Sequence, residues 1–211
     1  VEQEELREII SQQDVAAFQN WLKQGGDPNT VIGNRDPFEG STLLSWILMD
    51  LDEPEGDAPI YDMVKLLVEY GVDVNALHNP GDYSPLYWVV TENRPAIARL
   101  LLDAGAEVDF RTDTGDTPLT KAMIMEYREM VELLVGYATP EVLNKWGSFW
   151  GSTPLGIAFR EANLPMIEVL LRHGADPYAY EPDQASTIHN IPKEHEAVIF
   201  EMIERLGKLK R

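Results

Sequence analysis

Apolar residues recur along this chain in short runs at helical spacing, and the runs are punctuated by Gly, Pro and charge. Leu6, Ile9 and Ile10 form one run, and Val15 to Leu22 form the next. Val64-Lys65-Leu66-Leu67-Val68-Glu69-Tyr70 ends at Gly71, Ala98 begins a run that ends at Gly105, and Ile167, Val169, Leu170 and Leu171 precede Gly174. Spacing of this kind predicts amphipathic helices, each closed by a glycine in the left-handed region. No apolar run approaches the ~20 residues of a membrane span.

The pattern repeats. A hydroxyl residue, an often prolyl position and an apolar residue occur as Thr42-Leu43-Leu44, Ser84-Pro85-Leu86, Thr117-Pro118-Leu119, Thr153-Pro154-Leu155 and Ser186-Thr187-Ile188. The hydroxyls are 42, 33, 36 and 33 residues apart. Ser or Thr there can cap a helix by accepting from a free backbone N–H. Pro in the next position fits a first turn that needs no N–H. Pro59, Pro95 and Pro165 mark the expected starts of second helices. A helix pair this short cannot bury its own apolar face, so neighbouring pairs must stack.

Thr153-Pro154-Leu155-Gly156-Ile157-Ala158 through Gly174-Ala175-Asp176, and Thr117-Pro118-Leu119-Thr120-Lys121-Ala122, resemble the ankyrin-repeat family, whose unit is ~33 residues with a T-P-L-H-x-A signature. The resemblance covers essentially the whole chain. It implies an all-α ankyrin-repeat solenoid of about six helix-turn-helix units with extended fingers, in a single domain over 1–211. The units are expected at 1–36 (an N-terminal cap), 37–77, 78–111, 112–147, 148–180 and 181–211 (a C-terminal cap). Tyr137-Ala138-Thr139-Pro140 replaces the usual end of the fourth unit, which predicts a rebuilt finger. Pro192 predicts a shortened first helix in the last. Insertions fall between Asn29 and Gly40, near Leu51 to Ala58, and near Pro140 to Ser148.

Charge narrows the partners. There are 36 acidic against 17 basic residues, a formal net charge of −19. Residues 1–110 hold 21 of the acids and 6 of the bases, so most of the field lies in that half. Such a chain does not suit nucleic acid, which needs Lys and Arg to displace counterions, and an anionic membrane would repel it. The acidic N-terminus does not resemble a signal peptide, and there is no Cys. A soluble cytoplasmic protein, monomeric when free, is the expectation.

Catalytic chemistry finds little support. His189 and His195 are six apart, without the i, i+4 spacing of a helical metal site. His173 precedes Gly174 at a helix end, where a cation complements the dipole. No phosphate-binding glycine loop or nucleophile elbow is present. Neither enzyme activity, nor a metal, nor a cofactor is expected.

The family resemblance implies that fingers and first helices line a concave binding face. Carried over by position, that face comprises Phe38 and Glu39, Met49 and Asp50, Tyr83, Glu92, Asp113 and Asp116, Met125, Phe149 and Trp150, and Arg160 and Glu161. Aromatic anchors ringed by acid make a plausible hot-spot surface. The insertion bearing Asp52, Glu53, Glu55 and Asp57 is either a solvated linker or an anionic contact. The function expected is a non-catalytic module, an inhibitor or immunity-type protein, whose acidic face occludes a basic partner such as a toxin or nuclease. A generic adaptor or assembly factor is the alternative.

Overall fold

A computed structural model describes residues 3–33, 41–49, 57–77, 83–145, 152–179 and 187–207. Phe38, Glu39, Asp50, Asp52, Glu53, Glu55, Phe149 and Trp150 lie outside the described residues, as does the side chain of Asp57. The chain divides into two compact units, Val1–Glu107 and Val108–Arg211.

The first unit is three helical hairpins. α1 (Gln3–Ser11) pairs with α2 (Val15–Lys23), α3 (Leu43–Leu48) with α4 (Asp57–Glu69), and α5 (Pro85–Thr91) with α6 (Pro95–Asp103). First helices stack on first helices, α3 on α5, while α4 packs between α2 and α6. A short antiparallel pair, β1 (Val31–Ile32) and β2 (Ser41–Thr42), sets Val31 opposite Thr42 ahead of α3. Every residue of α3 is buried. The Arg7 guanidinium lies over the Trp46 ring at 5.7 Å and donates to the Gly33 carbonyl, which ties α1 to the strand pair.

The second unit repeats the plan. α7 (Pro118–Ile124) pairs with α8 (Arg128–Tyr137), and α10 (Pro154–Arg160) with α11 (Leu164–Arg172). α10 also packs on α7 and on a 3-10 turn over Thr187–Asn190, and α12 (Glu196–Arg205) covers α11. That 3-10 turn stands where a first helix was expected, and it ends just before Ile191-Pro192 because the residue preceding a proline is pushed out of helical geometry.

Four of the caps read from sequence are made, and the fifth, Ser186, lies outside the described residues. The side chains of Thr42, Ser84, Thr117 and Thr153 accept from the N–H groups of Ser45, Tyr87, Thr120 and Gly156. Second helices end on Gly71, Gly105 and Gly174, at φ of 83°, 92° and 104°. First helices end the same way without glycine: Gln13, Asn93, Glu126 and Ala162 have φ of 52°, 53°, 58° and 50°. In the last three hairpins the left-handed residue and its successor donate back to the end of the helix, as in Ala162 to Phe159 and Asn163 to Ala158. A Cβ in this region carries a strain that Gly lacks. Ala162→Gly should therefore raise stability by about 0.5–1 kcal/mol despite the greater freedom of the unfolded chain. A urea midpoint that falls on this substitution would show that the turn is not strained.

Within each unit, consecutive repeats are tied by one repeated device. The Asn29 side-chain carbonyl accepts from Asp73 N–H at 2.7 Å, and that of Asn75 from Glu107 N–H at 2.8 Å. In the second unit Asn144 accepts from Asp176 N–H at 2.7 Å. Asn144 is supplied by α9 (Pro140–Leu143), a single helical turn capped by Thr139, which is the rebuilt finger of the fourth repeat. The Glu141 carboxyl on that turn is held below its ordinary pKa by a backbone N–H, then by the Thr139 hydroxyl. Also within the second unit, Lys145 pairs with Asp109 at 2.7 Å.

Candidate functional site

Four of the expected face residues share one structural position. Met49, Glu92, Met125 and Glu161 are the C-cap residues of α3, α5, α7 and α10. Three of them immediately precede a left-handed residue.

In the first unit Met49 and Glu92 are half-buried. Tyr83 is half-buried as well, its ring stacked on Tyr87 at 5.1 Å with 6° between planes. Ser84 between them caps α5, so the finger aromatic is braced by the helix it introduces. Trp46 is buried and Trp88 donates to the Leu48 carbonyl at 3.1 Å, the structural roles their first-helix positions imply.

In the second unit Asp113 is exposed at a finger tip, where Gly115 at φ 84° turns the chain. Asp116 is half-buried, and its Oδ2 accepts from Thr114 at 3.2 Å. Met125 is exposed, as are Arg160 and Glu161. The Arg160 guanidinium donates to the buried Ser152 hydroxyl. Arg160 and Glu161 line a groove of about 200 Å³ with Ile124 and Ile157. The sequence reading placed Met125, Arg160 and Glu161 on this side of the repeats; it did not single out Ile157. The only signal for Ile157 was its fourth place after the capping Thr153, which also fits a core residue.

The acidic groups differ in their pairing. Glu168 on α11 receives Arg172 at 2.7 Å and Arg205 at 3.2 Å. The Arg172 hydrogen bond holds the Glu168 carboxyl below its ordinary pKa, against an opposing desolvation. Arg128 pairs with Glu132 one turn along α8. Among the described residues, Glu92, Asp113, Glu126 and Glu161 make no side-chain hydrogen bond or ion pair with one another or with a base. The acids in these ion pairs are Glu132 and Glu168 on second helices and Asp109 at a finger; among the described residues the first-helix ends are left free, as are Asp62, Glu69 and Glu129 on second helices. No group of three or more His, Asp or Glu side chains arranged to hold a metal occurs among the described residues, and none of the described helices is long and apolar enough to cross a membrane.

A family model described as ankyrin repeats, three copies, matches residues 55–145 and 104–181, more than half of the chain. The chain belongs to the ankyrin-repeat family. Its fold is the all-α ankyrin-repeat fold, and arrays of this kind are protein-binding modules. Among similar proteins, human protein phosphatase 1 regulatory subunit 27 is 39% identical over 75 residues, 36% of this chain and 47% of the relative. Mouse NF-kappa-B inhibitor alpha is 34% identical over 102 residues, 47% of this chain and 32% of the relative. A putative ankyrin repeat protein of Rickettsia bellii is 30% identical over 121 residues, 44% of this chain and 49% of the relative. In each case the matched part is under half of the relative's own length.

Proposed function

We propose that this ankyrin-repeat protein is a non-catalytic inhibitor that binds a basic protein through its fingers and first-helix ends, in the manner of an immunity protein occluding a toxin or nuclease. The observation that carries the reading is the free acid at Glu92, Asp113 and Glu161, on a finger and at first-helix ends. In a chain of net charge −19, carboxylates without an internal partner steer and hold a cationic surface. Occlusion needs no chemistry of its own, only area and complementarity. One relative is named as an inhibitor and another as a regulatory subunit, which supports control of a protein by binding it. Stacking of all the repeats into one domain over 1–211 belongs to this proposal, as do monomeric behaviour in the free state and a cytoplasmic location.

The test is capture of partners on the immobilised full chain from extract of its own source, at low and high salt. One basic protein is expected, bound at low salt and released at high salt, because exposed charge is screened beyond a Debye length of about 10 Å. Asp113→Lys with Glu161→Lys should slow association several-fold and flatten the salt dependence. Capture that ignores both salt and these reversals would overturn the acidic-face reading.

The adaptor reading draws on the relative named as a regulatory subunit. It expects several partners, retained at high salt.

A further inference from the structure

α7 and α10 end side by side in the second unit, and the groove between their last turns is lined by Ile124, Ile157, Arg160 and Glu161. We infer that this groove takes one aliphatic or aromatic side chain from a protein segment that carries a Lys or Arg within one helical turn of it. The inference rests on the protein-binding reading and specifies what that partner must present.

The apolar half of the argument is exposure without a packing reason. α7 fills the core with Leu119, Ala122 and Met123, all buried. Ile124 and Met125 follow them and stand 44% and 42% exposed. Elsewhere first helices do not end this way: Leu48 closes α3 at 1% exposure, and the Thr91 hydroxyl of α5 donates to the Tyr87 carbonyl. Two adjacent large apolar side chains left in water cost free energy that the fold does not recover, but a partner would on binding. Their adjacency to a groove of about 200 Å³ gives room for one branched or aromatic side chain. Anchors of that size in a partly enclosed pocket carry a disproportionate share of binding energy.

The charged half sets the occupant's flank. Glu161 lines the groove, exposed and unpaired among the described residues. Arg160, the one cation among the described residues of the groove, donates to the Ser152 hydroxyl. A free carboxylate in the lining, in a chain of net charge −19, favours a cation beside the apolar anchor and disfavours an acid there.

Selection of a random displayed-peptide library on the immobilised full chain tests this directly. Enriched peptides should pair Leu, Ile, Met or Phe with Lys or Arg three or four positions away. Synthesised with a fluorescein label, they should lose at least tenfold in affinity, by anisotropy, when the chain carries Ile124→Ser with Met125→Ser, and several-fold with Glu161→Lys. These positions are exposed, so the thermal midpoint should stay put, which separates lost docking from lost folding. Absence of enrichment, an acidic consensus, or peptides indifferent to Ile124 and Met125 would each overturn the inference. Peptides indifferent to that pair but released by Asp113→Lys would sink the groove and leave the acidic-face reading standing. Peptides that need the pair, with no salt-sensitive protein captured from extract, would do the reverse.

Discussion

Phe159→Ala should destabilise the second unit by about 3–5 kcal/mol, the range for emptying a fully buried aromatic site. Phe159 is 0% exposed and lies on α10, whose residues from Pro154 to Phe159 are all buried. That helix is packed by α7, by α11 and by the Thr187–Asn190 turn, so the surroundings cannot collapse from one side to fill the space. A loss of this size is a large part of the ~5–15 kcal/mol that holds a typical domain together. Repeat arrays need not unfold in one step, so the effect should be read locally. Hydrogen exchange should accelerate across α10 and α11 far more than across α5 and α6. Uniform acceleration over both units, or none, would contradict this placement of the core.

The second large effect is expected at a glycine. Gly26→Ala should cost about 1–3 kcal/mol, the usual penalty for overfilling a packed site. A Cβ on Gly26 would overlap the six-membered ring of the Trp21 indole. That indole is 8% exposed and stacks on Phe18 with ring centroids 5.7 Å apart, so it has little room to withdraw. Trp21→Leu should relieve the penalty in the double variant, since the clash goes with the ring. A denaturation midpoint that is unchanged by Gly26→Ala alone would mean that the indole moves aside freely.

The neighbouring glycine shows why these two cases differ in legibility. Gly25 has φ 94° and ends α2 as Gly71 and Gly105 end their helices. Its role follows from helix periodicity and one residue of lookahead, both local properties of the chain. Gly26 answers to a side chain five residues back that folds over it, and nothing in the spacing says so. The same division runs through the candidate site. The capping Thr and Ser residues, the second-helix glycines and the early stop before Pro192 follow from backbone geometry alone. The C-cap positions of Met125 and Glu161 follow from counting along the repeat.

Sequence by itself determined that this chain is built of helix pairs in the ankyrin manner with a surplus of acid, because capping, helical period and charge are written in neighbouring residues. Tertiary structure alone decided that Asn144 on an extra turn restores the tie lost at Tyr137-Ala138, that Ile124 and Ile157 meet beside Glu161, and which carboxylates stay unpaired. The tie and the groove depend on groups about 30 residues apart coming within contact, and a one-dimensional pattern carries no record of such distances.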